Sequence, residues 1–132
     1  MSKTNFERNR LLDLKVGDGV YAKPPTYYFG LFTSAPTVAG GGTEVTGGAY
    51  TRVAVANDLA NWPDAGSGTK ANAIALAWAQ ASAPWGTVTH VGIFDALTGG
   101  NMTDFTALAT PRAIVSGDTF SLPAGSIQFQ EE

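Results

Sequence analysis

Residues 26–33 read Thr-Tyr-Tyr-Phe-Gly-Leu-Phe-Thr, and this stretch decides the fold. Aromatic and β-branched residues favour strands, and successive side chains of a strand point to opposite faces. Phe29 and Leu31 therefore share one face, and Tyr28 and Phe32 share the other. Because both faces are apolar, we expect a strand covered on both sides, by an opposing sheet and by a helix or a neighbouring subunit.

Further strand-like segments follow on both sides of long, glycine-rich loops. They lie at residues 50–56, 71–79, 87–95, 104–108, 112–115 and 126–129. Short strands spaced by turn signals are typical of a sandwich or barrel. The long loops indicate crossings between sheets, so we predict an all-β fold, a jelly-roll-like antiparallel β-sandwich.

The first 17 residues predict a short helix before the sandwich. Thr4 followed by Glu7 fits a capping box, and Gly17 is a suitable stop. Phe6 and Leu14 belong to a partial apolar stripe. The helix either covers an open end of the sandwich or acts as an arm that docks on a partner. With 132 residues the chain fits one domain, with the helix in residues 1–17 and the sandwich in residues 18–132.

Composition excludes several classes of function. A net charge of −3 without a basic stripe argues against direct binding to nucleic acid. The absence of cysteine excludes disulfides and thiolate metal sites. No apolar run is long enough for a membrane span, and the N-terminus lacks the pattern of a signal peptide. Only 14% of residues are charged, which suits a subunit with permanent contacts.

No catalytic constellation is visible. His90 is the single histidine, no serine sits in a Gly-x-Ser-x-Gly elbow, and we interpret His90 as structural. Asp95 and Asp104 flank a hairpin at Asn101; ordinary turn chemistry explains them better than a calcium loop. The glycine run 40–42 lacks the Gly-Lys-Ser/Thr ending of a phosphate loop. We therefore expect no enzyme activity, no metal and no cofactor.

Trp62 lies in the polar stretch Asn-Trp-Pro-Asp and is the one tryptophan that is a candidate for an exposed contact. Flat aromatic faces stack on sugars, so a glycan site is one interpretation. The other is that Trp62 folds back over an open end of the core, because aromatic burial stabilises a small domain strongly.

Four stretches, taken together, resemble a family of small phage virion proteins described as tail-fibre or head-decoration proteins. They are residues 28–37, 40–54, 85–95 and 116–125. The resemblance extends to the N-terminal segment and so covers nearly the whole chain. It implies a jelly-roll-like sandwich and a role in assembly without catalysis.

The resemblance leads to two hypotheses. The first is a capsid decoration or cement protein, a homotrimer on the major capsid protein of a virion assembled in the host cytoplasm. The alternative is a tail-fibre or head-fibre component that contacts the host surface, with glycan at Trp62. The expected partner contacts lie on the helix, in the loop of residues 34–48 and at Trp62. They are Phe6, Arg10, Leu14, Thr43, Glu44, Val45 and Trp62.

Overall fold

A computed structural model describes residues 1–130 of the chain. Within these residues there are one helix and ten strands. In chain order the elements are β1 (Ser2–Lys3), α1 (Asn5–Lys15), β2 (Thr26–Ser34), β3 (Thr43–Glu44), β4 (Val53–Ala56), β5 (Thr69–Ala71), β6 (Leu76–Ala77), β7 (Gly86–Phe94), β8 (Met102–Ile114), β9 (Ser121–Leu122) and β10 (Gln128–Gln130).

The main layer is a six-stranded antiparallel sheet. Its order is β1-β8-β7-β2, and β3 and β4 then pair with different halves of the free edge of β2. The predicted strand at residues 26–33 is confirmed as β2, and the one at 87–95 is confirmed as β7 with its ends shifted by one residue. Phe29 and Leu31 point to the core and are fully buried, as their alternation predicted.

The second layer consists of two small antiparallel ladders, β5 with β10 and β6 with β9. Between the layers lies a core that is rich in aromatic residues from both, including Phe29, Trp62, Trp78 and Phe120. The predicted all-β fold with a short N-terminal helix is confirmed. The two layers are unequal, because one broad sheet faces two short ladders joined by loops.

Three of the predicted segments differ in how they are divided into strands. Residues 71–79 do not form one strand, because the buried Asn72 interrupts the ladder. Its amide donates to the Ile74 carbonyl at 2.6 Å and accepts from the Ile127 amide at 2.9 Å. Conversely, the segments 104–108 and 112–115 join into the single strand β8. Its register shifts opposite Val88–His90, and Pro111 falls in that irregularity, where a missing N–H is tolerated.

The outer face of the main sheet carries Phe32 and Phe94, which are buried by the chain's own residues. The expectation that a helix or a neighbouring subunit covers this face stays a prediction. Phe32 and Phe94 stack on this face with ring centroids 6.0 Å apart. The Arg52 guanidinium lies over the Phe94 ring at 3.5 Å from its centroid. Gly42 approaches so closely that an added Cβ would lie 3.0 Å from the Phe32 ring.

Helix α1 starts at the predicted cap. The Thr4 hydroxyl accepts from the Glu7 amide at 3.4 Å, which is half of the predicted capping box. The other half is absent, since the Thr4 amide instead donates to the Thr103 carbonyl at 2.9 Å. The Thr4 hydroxyl also donates to the Met102 carbonyl, so the cap joins the helix to β8.

Candidate functional site

Helix α1 and the turn after it expose several large apolar side chains. Leu12 is 60% exposed, Leu14 52% and Val16 73%, and Phe6 is also exposed. Val20, just beyond the helix, is 89% exposed. Leu12 and Leu14 are two positions apart and therefore point to different sides of the helix. The structure therefore places the predicted contacts Phe6 and Leu14 on the surface, although no partner chain is described.

The helix is held to the body by a polar network instead of by its leucines. Glu7 is the one helix residue that is buried, and its carboxylate accepts from Arg10 and from the Tyr21 hydroxyl. Arg10 also lies over the Phe6 and Tyr21 rings at 4.6 and 4.2 Å from their centroids. Burial, then the hydrogen bond to Glu7, raises the pKa of Tyr21. Arg10 is therefore engaged within the chain, which weakens its assignment as a partner contact.

The three partner contacts predicted in the loop differ in their exposure to solvent. Thr43 is exposed, and Glu44 is partly exposed but already paired with Arg52 at 2.8 Å. Val45 is only 4% exposed and belongs to the hydrophobic core. Val45 follows β3 directly, and its amide donates to the carbonyl of the buried Leu31, so its side chain packs inside the chain and is not exposed to a partner in this fold.

Trp62 is a core residue, so its assignment as an exposed contact is also corrected. It is 4% exposed, stacks on Phe29 with ring centroids 5.9 Å apart and meets Phe129 edge-on at 5.4 Å. This is the alternative in which the loop tryptophan folds over an open end of the core. Its indole Nε1 is nevertheless buried without a hydrogen-bond partner among the described residues.

A cavity of about 290 Å³ opens beside Trp62, between the helix and the end of the sandwich. Its wall carries the rings of Tyr21, Tyr27 and Phe129 together with Trp62. Lys23 and Lys70 also line it, and Lys70 and Phe129 continue into an adjoining cavity of about 230 Å³. The cavity therefore has a wall rich in aromatic side chains, with two lysine side chains beside it.

Sequence reasoning did not find this cavity. Tyr21 with Lys23, Lys70 and Phe129 come from three distant parts of the sequence, and none stands in a recognisable motif. The one sequence feature that could have indicated the cavity is that an aromatic residue, Tyr21, stands close to a lysine, Lys23, in a segment without a strand pattern. Proximity of β5 and β10 in one ladder brings Lys70 and Phe129 opposite each other, and that register is a tertiary feature.

The polar residues weighed as catalytic or metal-binding make local contacts. The His90 Nδ1 atom lies 2.8 Å from the Thr89 hydroxyl. Asp95 accepts from the Asn101 amide at 2.8 Å, which is the turn chemistry that the sequence indicates. Across residues 1–130, no group of three or more His, Cys, Asp or Glu is placed to hold a metal ion. No helix in that range is long and apolar enough to cross a membrane.

An all-β fold with a short N-terminal helix agrees with the sequence resemblance to small structural proteins of phage particles. Comparison with protein families supports this class directly. A family model described as podophage GP4 fiber I protein gp80 matches residues 2–130, and the chain belongs to this family, Gp80. The protein is thus a bacteriophage virion structural protein, and a virion component. A search of the curated proteins gives no match.

Proposed function

We propose that this chain is a subunit of a phage fibre that contacts the host surface. The observation that carries the proposal is the family match over residues 2–130, because the family is described as a fibre protein. The match favours the fibre alternative over the capsid decoration or cement hypothesis. The fold suits this role, since the exposed helix face and the lysine-lined cavity offer separate surfaces for assembly and for binding.

Helix α1 and the turn after it supply the assembly surface, and its occupant is a second copy of this chain. Leu12, Leu14, Val16 and Val20 alternate with charged residues of both signs, including Asp13, Lys15 and Asp18. A second copy can cover this surface, because Lys15 of one copy can meet an acid on the next. Where such a contact joins two different patches head to tail, a suitable rotation closes it into a ring, and a homotrimer is the proposed state.

The oligomer is tested by analytical ultracentrifugation of purified protein. The double variant Leu12→Gln, Leu14→Gln should sediment as a monomer where the wild type sediments as a trimer. Leu59→Gln is the matched control, because Leu59 is 64% exposed but lies outside the helix face. A wild-type monomer, or an unchanged trimer in the double variant, would contradict the proposed surface.

The proposed role consists of binding and assembly without catalysis. It is supported by the local contacts of two polar residues, since His90 Nδ1 lies 2.8 Å from the hydroxyl of the adjacent Thr89 and Asp95 accepts from the Asn101 amide in a turn. The test is incubation of the protein with polysaccharide extracted from the host surface. Unchanged chain length on size-exclusion chromatography is expected, and progressive shortening would overturn this part of the proposal.

Position on the particle is tested by immunogold labelling of intact virions. Label on fibres is the expected result. Label distributed over the head surface would favour the decoration hypothesis and would overturn the fibre proposal. The labelling should be repeated on particles produced without the protein, and these particles must show no gold label.

A further inference from the structure

The cavity beside Trp62 has the properties of a ligand site. Its volume of about 290 Å³ is near the lower end of small-molecule pockets, which span roughly 300–1,000 Å³. Aromatic side chains make up half of its lining residues and come from separate elements: besides Trp62, Tyr27 comes from β2, Phe129 from β10 and Tyr21 from the segment after the helix. A pocket of this size accepts one or two ring-sized groups and not an extended chain.

Two lysines give the pocket a positive charge. Neither the Lys23 nor the Lys70 ammonium has a hydrogen-bond or ion-pair partner among residues 1–130. No Asp or Glu of the described residues lines this cavity or the adjoining one. Because the whole chain carries a net charge of −3, this local excess of cations is not a general property of the surface. An anionic ligand is therefore the complementary one.

The indole of Trp62 adds a polar group without a partner. Its Nε1 is the one buried side-chain nitrogen or oxygen among the described residues that lacks a hydrogen bond. The other two tryptophans are satisfied, with Trp78 Nε1 donating to the Phe29 carbonyl and Trp85 Nε1 to the Gly48 carbonyl. A buried donor left unpaired destabilises a fold, and because Trp62 lines the cavity, its indole N–H can report on a ligand that enters it.

We propose that this cavity binds an acidic sugar residue, with Lys23 and Lys70 recognising its carboxylate and the aromatic wall packing on its apolar face. The inference rests on the proposed host-contacting function and names the class of surface polysaccharide that the fibre would recognise. A sugar fits better than an acidic peptide, since the cavity is confined. Many copies on one particle would multiply a weak affinity for each sugar.

The test uses two-dimensional ¹H–¹⁵N NMR of the full chain titrated with galacturonic acid. Galactose is the matched neutral probe, differing from it only in lacking the carboxylate. The three tryptophan indoles give separate signals and serve as internal references. The signal of Trp62, assigned with Trp62→Phe, should shift with galacturonic acid, whereas those of Trp78 and Trp85 should stay in place. Galactose should cause much smaller shifts.

Lysine variants test the source of the selectivity. Lys23→Gln and Lys70→Gln should each weaken galacturonic acid binding about tenfold, the loss expected for one charge-assisted contact. Arg8→Gln is the matched control, because it also removes one exposed cation but lies outside both cavities. Equal weakening by all three variants would indicate a nonspecific charge effect and would overturn the assignment of the pocket.

The result can be separated from the test of the fibre function. If immunogold labels fibres but neither sugar shifts the Trp62 signal, the pocket inference fails and the fibre proposal stands. If an acetylated Glu-Tyr-Glu peptide shifts that signal while galacturonic acid does not, the site serves a protein partner and the sugar inference is overturned. If galacturonic acid binds but the label lies on the head, the fibre proposal fails while the pocket assignment survives.

Discussion

Arg52 and Glu44 form a two-point ion pair on the outer face of the main sheet. The Arg52 Nε atom donates to Glu44 Oε2 at 2.9 Å, and Nη2 donates to Oε1 at 2.8 Å. The remaining Nη1 donates to the carbonyls of Ala96 and Gly99 at 2.8 and 2.9 Å. A single side chain thus joins β3, the start of β4 and the turn after β7.

Replacing Arg52 by lysine should destabilise the fold although the charge is kept. Lysine cannot donate to both carboxylate oxygens and to two carbonyls in one plane, and it would leave Glu44 incompletely paired. We expect a loss of about 3 kcal/mol in the free energy of unfolding, typical of a broken buried pair. Chemical denaturation measures it. Arg8→Lys, at an exposed helix position, is the control and should unfold at the wild-type midpoint.

The same pair predicts how stability depends on acid. Burial alone would raise the pKa of Glu44, but hydrogen bonds from Arg52 and Tyr50, with the Arg52 charge, lower it below its ordinary 4.5. A carboxyl with a lowered pKa in the folded state stabilises the fold above the unfolded pKa, and this contribution is lost as pH falls through the folded value. Stability should therefore decline as pH drops below 4.5.

Glu44→Gln tests this acid dependence. The variant should be less stable than the wild type at neutral pH, because the ion pair is gone. The gap should narrow as the pH is lowered, since the wild type loses the same contribution on protonation. The measurement is the free energy of unfolding along a pH series. Two curves that stay parallel below pH 4.5 would contradict the lowered pKa of Glu44.

Gly30 and Gly92 face each other in the pairing of β2 with β7, and both make room on the outer face. A Cβ on Gly92 would lie 2.6 Å from a Phe32 ring carbon and 3.0 Å from the Met102 sulfur. Gly92→Ala should therefore destabilise the protein by about 2 kcal/mol through overpacking. Gly66→Ala, where an added Cβ meets nothing within 4 Å, should be nearly neutral by the same thermal unfolding assay.

The sequence sufficed for those parts of the fold that depend on local alternation. The bounds of β2 and β7 followed from the pattern, and so did the buried face of β2 with Phe29 and Leu31. The buried face of β7 did not, because the register shift between Val88 and His90 places Val88 in the core together with Val91 and Ile93. The break at Asn72 did not follow, because it depends on contacts with Ile127 and Pro123 far along the chain. The cavity could not be predicted for the same reason, because its lining residues Lys70 and Phe129 are brought together only by pairing of β5 with β10 in the second layer.

The prediction that Trp62 is exposed was wrong because polar neighbours in the sequence were taken as a sign of an exposed position. Trp62 sits among polar residues in sequence, yet Phe29 and Phe129 enclose it. In helix α1 the error runs the other way, since the apolar stripe is exposed and a glutamate is buried. Pattern alone could not show this inversion, because Tyr21, which satisfies Glu7, lies beyond the helix.

That inversion gives a prediction for the helix. Glu7→Gln should destabilise the protein by about 2 kcal/mol, because the amide cannot accept from both Arg10 and the Tyr21 hydroxyl as the carboxylate does, and one group stays unsatisfied. Leu14→Gln should change the free energy of unfolding by less than about 0.5 kcal/mol, as for other exposed positions. Both variants should be measured by urea denaturation at concentrations where the wild type is monomeric. A larger loss for Leu14→Gln than for Glu7→Gln would mean that the leucine face packs against the body in solution.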